Sequence, residues 1–125
     1  MIGYVTLGTN DLARAAPFYD AIAAELGVGR MMEFDTFIAW GEPGGAPGIG
    51  VTQPFDKQPA CIGNGVMVAL AAKDAAQVGR LYDIALANGG TDEGAPGDRG
   101  GGFYAAYFRD LDGNKLNAFV MAEPE

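Results

Sequence analysis

The feature that most constrains the fold of this chain is an internal repeat with a spacing of 63 residues. Tyr4 lies seven residues before Asp11, and Met67 lies seven residues before Asp74. Further landmarks at the same offset are Tyr19 with Tyr82 and Gly27 with Gly90. A shared spacing over several landmarks predicts two copies of one supersecondary unit. Tyr4 and Met67 are therefore predicted to occupy equivalent places in the two copies.

The size and charge of the chain limit the number of domains and the partners. With 125 residues, 49% of them hydrophobic, the sequence predicts a single domain, 1–125, with a substantial core. The net charge is −8, from 16 acidic and 8 basic residues. This balance argues against nucleic acid as a partner, because phosphate binding needs a basic surface. It argues equally against an anionic membrane surface.

Cysteine and histidine content restrict the chemistry. Cys61 is the single cysteine, so no internal disulfide can form, which is compatible with the cytoplasmic localisation that we predict. No signal peptide and no apolar run of membrane length are visible. The chain contains no histidine, so acid–base catalysis would have to use carboxylate, tyrosine or lysine.

The first repeat is predicted to be a strand, a helix and three strands. Alternation in the strand over 2–7 places Tyr4 and Thr6 on one face. Thr9 or Asn10 is expected to cap the following helix, with Asp11 in its first turn. We expect the helix to bend or loosen at Pro17, because proline removes a backbone hydrogen bond. The three later strands are predicted at 30–34, 36–40 and 48–53.

The second repeat is predicted to follow the same order, although its first strand after the helix is weakly marked. A strand at 66–70 leads to a helix that Asp74 opens and residues 88–90 end. Residues 93–102 are rich in turn-forming types. Strands at 103–109 and 115–121 are joined by Asp-Gly-Asn, a strong hairpin signal. The predicted fold class is therefore α+β, built from two βαβββ modules at about 1–54 and 63–121.

Several stretches resemble the vicinal oxygen chelate superfamily, the group of glyoxalase I, bleomycin-resistance and fosfomycin-resistance proteins and extradiol dioxygenases. These stretches are 3–8, 10–12, 18–19, 26–27, 63–70, 94–97 and 110–116, and the Asp-Leu-Asp-Gly-Asn segment is the most specific. The resemblance implies mixed sheets of two βαβββ modules that curl around a shared cavity. It also implies a homodimer.

The resemblance further implies which residues stand at the family's metal-ligand positions. Tyr4 and Met67 stand where the family's first strands usually carry histidine, and Asn117 stands where its last strand usually carries glutamate. Gln53 is an approximate match at the end of the first module. Divalent metals favour imidazole or carboxylate ligands. We therefore predict no bound metal and no cofactor.

Other residues are candidates for lining the cavity. Thr6 shares the strand face of Tyr4, and Trp40, Tyr104 and Tyr107 are candidate aromatic walls, although such residues are commonly core. Arg99 either holds an anion at the cavity mouth or is a solvated loop residue. Asn117 either orients a ligand or bonds a neighbouring strand.

Three functions remain compatible with the sequence. The first is a metal-free protein that binds a small organic molecule, uncharged or weakly anionic and partly aromatic, in the sheet-lined cavity. The second is an enzyme of the same superfamily that works without metal or with unusual ligands. The third is a glyoxalase I-like lyase or another metal-dependent enzyme, against which the missing histidines weigh most. No catalytic constellation can be assigned from the sequence.

Overall fold

The computed structural model describes residues 1–45 and 47–122. Ala46 and 123–125, which the predicted domain includes, lie outside the described part. The ten elements repeat one order twice and confirm the predicted βαβββ arrangement. The first five are β1 (Tyr4–Gly8), α1 (Leu12–Glu25), β2 (Gly29–Glu33), β3 (Phe37–Gly41) and β4 (Gly48–Thr52). The second five are β5 (Val68–Ala71), α2 (Ala75–Ala87), β6 (Thr91–Asp98), β7 (Phe103–Arg109) and β8 (Lys115–Met121).

Each helix is started by an aspartate of the repeat. Asp11 caps α1 through a hydrogen bond that its side chain accepts from the Arg14 amide, and Asp74 caps α2 in the same way. The prediction that Thr9 or Asn10 caps α1 was wrong, because the Thr9 hydroxyl accepts from the Asp11 amide instead. The helix continues through Pro17, which is exposed.

The segment after α2 departs from the expectation of a turn-rich stretch. Residues Thr91–Asp98 form β6, a strand that pairs with β7 and has two breaks in its register. Gly94, Pro96 and Gly97 are poor strand formers. They are tolerated because β6 is an edge strand, where proline and bulges are allowed.

The strands form two open, mixed, four-stranded sheets. Their orders are β1-β4-β3-β2 and β5-β8-β7-β6, so the first strand of each module pairs in parallel with the last. α1 packs on the first sheet and α2 on the second. We call the side of each sheet that is opposite its helix the open face.

One hydrophobic core joins the two modules. It includes Leu7 and Val51 from the first sheet, Phe108 and Leu116 from the second, and residues of both helices. α1 and α2 contact each other directly. Within the described residues, no Cα atom in a strand of one sheet lies within 8 Å of a Cα atom in a strand of the other. None of the helices seen there is long and apolar enough to cross a membrane.

Candidate functional site

The open face of the first sheet carries the two polar residues that the sequence singled out on β1. Val5 and Leu7 point toward α1, so Tyr4 and Thr6 point to the opposite side, where both are exposed. Phe37 of β3 lies beside them, with its ring centroid 6.2 Å from that of Tyr4 in an edge arrangement. This face is therefore aromatic, with two hydroxyl groups.

The open face of the second sheet carries Asn117 near its centre. Asn117 pairs with Tyr107 on β7 and with Ala69 on β5. The Asn117 side chain is 1% exposed, and its Oδ1 atom has no hydrogen-bond partner within the described chain. A buried amide oxygen without a donor is costly. The position is therefore a candidate contact for a ligand.

The strand registers show which residues of the two modules correspond. Thr6 pairs with Gly50 in the first sheet, and Ala69 pairs with Asn117 in the second. Because Thr6 and Ala69 are 63 residues apart, Gly50 is the counterpart of Asn117. Gln53, the approximate match at the end of the first module, lies just beyond β4 and is exposed. The Phe37 ring fills the space above Gly50, where a Cβ atom would lie 2.7 Å from it.

Trp40 and Tyr104, two of the candidate aromatic walls, lie on the helix side of their sheets, opposite to Tyr4 and Asn117. Trp40 is buried, and its Nε1 donates to Asp20 Oδ1 at 2.7 Å. Hydrogen bonds from Arg30 chiefly, and from Trp40, lower the pKa of Asp20. Tyr104 packs against the core. Alternation along β3 and β7 explains both placements.

A cavity of about 660 Å³ lies between the two modules. Most of its lining is apolar and comes from α1, the first sheet and β5. The polar exceptions include Glu42 and Tyr19, and the Tyr19 hydroxyl donates to Asp110. Both faces of β5 contribute, so the cavity runs around the free edge of that strand. It contains two of the predicted residues, Trp40 and Met67.

The sequence of the chain matches the family described as Glyoxalase/Bleomycin resistance protein/Dioxygenase superfamily over residues 1–118. The chain belongs to this superfamily. The resemblance of the sequence motifs is thereby confirmed at the level of the family. No protein of curated function matches the chain.

Solved structures of the superfamily share the fold. A glyoxalase/bleomycin resistance protein from Albidiferax ferrireducens is 38% identical, with a TM-score of 0.88 over 95% of this chain and 97% of that one. A glyoxalase/bleomycin resistance protein/dioxygenase family enzyme from Burkholderia phytofirmans is 18% identical, with a TM-score of 0.76 over 96% and 98% of the two chains. A glyoxalase-related enzyme from Fulvimarina pelagi is 19% identical, with a TM-score of 0.76 over 95% and 86%.

The residues at the superfamily's ligand positions do not fit a divalent metal. Tyr4 and Met67 begin the two modules, and Asn117 and Gly50 stand on the last strands, so the set holds no imidazole and no carboxylate. An amide, a thioether and a phenol are weak substitutes for the water that a dication would lose. Among the described residues, no three histidine, cysteine, aspartate or glutamate side chains are grouped as metal ligands.

The Asp-Leu-Asp-Gly-Asn segment, the most specific part of the resemblance, has a structural role. Asp110 is buried and accepts hydrogen bonds from the Tyr19 hydroxyl at 2.5 Å, from the Asn114 side chain and from two backbone amides. Burial first, and then Asp110, raise the pKa of Tyr19 well above its usual value of 10.0. Asn114 also donates to the Gly8 carbonyl of the first module. The turn therefore fastens the second module to the first.

Lys115 is a charged residue of the second open face that the sequence analysis did not assign to binding. Lys115 and Asn117 are two residues apart on β8, so strand alternation puts both side chains on the same face. That alternation could have identified Lys115 as a candidate binding residue. Its Nζ lies 5.4 Å from the centroid of the Tyr107 ring, and the Arg99 guanidinium carbon lies 5.5 Å from the same centroid. Two cations at one aromatic ring could not be read from the sequence.

Proposed function

We propose that this protein binds a small organic molecule on the open faces of its sheets, without a metal ion. The observation that carries the proposal is the Asn117 side-chain oxygen, which is buried in the second open face with no donor from residues 1–45 or 47–122. A ligand hydroxyl or N–H group that reached this oxygen would satisfy it. The same contact would fix the orientation of the ligand.

The surroundings of Asn117 suit a partly aromatic ligand. Phe119 and Tyr107 share its face, and Ala69 on β5 is exposed beside it. Apolar walls with a few polar groups are typical of small-molecule sites. The first open face offers the same combination, with Tyr4, Thr6 and Phe37.

A homodimer would bring these two faces together. β1 and β5 are the edge strands of their sheets, so each leaves backbone groups unpaired along one side. Large exposed apolar side chains lie at or before these strands, namely Ile2, Tyr4, Val66 and Met67. Pairing of β1 from one copy with β5 of the other would cover both the unpaired backbone groups and the exposed apolar side chains. The Tyr4 face of one copy would then continue into the Asn117 face of its partner.

The binding proposal is tested by ligand-detected NMR and thermal shift over a fragment library. We compare the wild type with Asn117→Leu, which removes the amide at similar volume. Losing the hydrogen bond is expected to weaken binding by about 1–3 kcal/mol. Val28→Trp is the control, because Val28 lines the cavity between the modules and lies apart from Asn117. The proposal would be contradicted by fragments that bind the wild type and Asn117→Leu equally. Fragments whose binding is lost only in Val28→Trp would also contradict it.

The proposal that no metal ion is needed is tested by elemental analysis of protein purified without chelator. Turnover assays with glutathione hemithioacetals, epoxides and catechols are run alongside. We expect no stoichiometric divalent metal and no turnover that depends on one. One tightly held metal per chain, lost in Asn117→Leu, would contradict this part and favour a metal-dependent lyase.

The dimer is tested by light scattering at micromolar concentration. We expect a particle of twice the 13.0 kDa chain mass. Met67→Lys places a charge at the proposed edge contact and should release monomer, whereas the exposed Lys73→Gln should not. A wild-type mass equal to that of one chain would contradict the dimer.

A further inference from the structure

The open face of the second sheet gathers positive charge in a strongly acidic protein. The chain carries a net charge of −8 with only 8 basic residues, and three of these, Arg99, Arg109 and Lys115, project from β7, β8 or the turn after β6 on this side. Like charges on neighbouring strands repel one another unless something neutralises them. The concentration of cations here therefore calls for a counter-charge.

Only one of the three cations has that counter-charge within the described chain. Arg109 and Lys115 stand directly opposite each other on β7 and β8. Arg109 Nε lies 2.5 Å from Glu93 Oε1 and forms an ion pair. In residues 1–45 and 47–122, neither Lys115 nor Arg99 forms a salt bridge.

Arg99 and Lys115 converge on the ring of Tyr107. The Arg99 guanidinium carbon is 5.5 Å from the ring centroid, and Lys115 Nζ is 5.4 Å from it. Arg99 is held there by a hydrogen bond from Nη2 to the Ala95 carbonyl at 2.7 Å. Gly97 leaves room for it, because a Cβ atom at that position would lie 2.9 Å from Arg99 Nη1. The two cations therefore have a defined place on the sheet.

Space for a ligand adjoins this cluster. A second cavity, of about 670 Å³, is lined by Arg109, Lys115, Met67 and the preceding loop. The pairing of Val68 with Leu116 puts Met67 level with Lys115 on the same face. A ligand in this cavity would place its charge by Lys115 and its apolar part over Met67.

We propose that Lys115 binds the carboxylate of an organic monoanion on the open face of the second sheet, while Arg99, on the β6 side of Tyr107, adds positive charge nearby. The inference rests on the proposed function and names the class of ligand. Guanidinium and ammonium groups both donate charge-assisted hydrogen bonds to carboxylate oxygens. A single negative charge fits better than a phosphate dianion, because the net charge of −8 opposes every added anion at long range.

The test compares three carboxylates with their neutral methyl esters, namely benzoate, mandelate and hippurate. Dissociation constants are measured by NMR titration of the full chain at low and at physiological salt. We expect at least one acid to bind about tenfold more tightly than its ester. Added salt should reduce that preference.

Lys115→Gln is expected to remove most of the preference for the acid, Arg99→Gln is expected to reduce it, and both should leave the affinity of the ester unchanged. Arg14→Gln and Lys73→Gln are the matched controls, because both side chains are exposed and lie away from this face. Neither control variant should alter the preference for the acid over the ester, apart from the small effect of removing one positive charge from the protein.

The outcomes separate the carboxylate site from the binding function itself. If esters and acids bind the open faces equally, or if Arg99→Gln and Lys115→Gln keep the preference for the acid, the carboxylate site is overturned while the binding function stands. If neither the acids nor the fragment library shifts resonances of the open faces, both are overturned.

Discussion

Two buried polar side chains of the second module differ in how fully their hydrogen bonds are formed. Asp110 accepts four hydrogen bonds, from Tyr19, from the Asn114 side chain and from two backbone amides. Asn117 Oδ1 accepts none within the described chain. A satisfied buried group stabilises the fold, whereas an unsatisfied one costs free energy. The first is therefore explained by folding, and the second is the observation on which the binding proposal rests.

Asn117→Leu is expected to raise the stability of the ligand-free protein while it weakens ligand binding. Leucine has a similar volume and brings no unsatisfied polar atom, so the free energy of unfolding should rise by about 1 kcal/mol. Urea denaturation of the two proteins without ligand checks this. A loss of stability would mean that the amide is satisfied in the native state.

Tyr19→Phe is expected to change how stability depends on alkaline pH. The unfolded chain ionises its tyrosine near the usual pKa of 10.0, whereas burial and Asp110 raise the pKa of Tyr19 in the folded protein. The contribution of the protonated Tyr19 hydroxyl to the free energy of unfolding is therefore complete below about pH 10 and is lost as the pH rises beyond it. Urea denaturation between pH 8 and 11 should show that the free energy of unfolding falls less in Tyr19→Phe than in the wild type. Tyr104→Phe, which keeps the Tyr19 hydroxyl, should follow the wild type.

At the scale of elements, glycine has opposite roles inside α2 and just after it. Gly79 lies in the helix interior with no atom within 4 Å of the place a Cβ would take. Gly90 lies between α2 and β6, where a Cβ would be 2.7 Å from both the Ala85 and the Arg109 carbonyl oxygens. The chain needs glycine at Gly90 for close backbone approach, whereas at Gly79 nothing in the packing requires it.

Gly79→Ala and Gly90→Ala are therefore expected to shift stability in opposite directions. The first should add about 0.5–1 kcal/mol, because alanine reduces the conformational freedom of the unfolded chain and favours the helix. The second forces two backbone segments apart and should cost several times more, on the order of 3 kcal/mol. Thermal unfolding of both variants beside the wild type measures this. Equal shifts would show that the turn after α2 adapts freely.

At the scale of the whole molecule, the two modules are fastened together at several points. Asn114 Nδ2 donates to the Gly8 carbonyl at 2.9 Å, and the Asn10 amide donates to Asp112 Oδ1 at 3.0 Å. At the other end of the helices, Gln77 Nε2 donates to the Glu25 carbonyl. The shared hydrophobic core lies between these contacts. One module without the other would leave this core exposed.

The two modules are therefore expected to unfold in one cooperative transition. Trp40 is the single tryptophan, so its fluorescence reports on the first module, whereas circular dichroism reports on both helices. The two signals should give the same midpoint in urea. Two separate midpoints would contradict the shared core, and a concentration-dependent midpoint would further support the dimer.

The order of elements could be predicted because it depends on local patterns. The repeat of aspartate, amphipathic helix and glycine located both helices, and alternation with a turn signal located β7 and β8 at the predicted residues. β6 was only weakly marked in the sequence because local propensity opposes a strand there, and its pairing with β7 stabilises it. The cap of α1 was misplaced by one or two residues because Thr9, Asn10 and Asp11 are all good capping types.

The sequence alone determined the two-module architecture, the superfamily and the lack of histidine. Those properties follow from residue types and spacing along the chain. The tertiary structure decided that Trp40 and Tyr104 face the helices, that Gly50 rather than Gln53 matches Asn117, and that Arg99 and Lys115 meet at Tyr107. These facts depend on strand register and on contacts between distant residues, which hydrophobic periodicity does not specify.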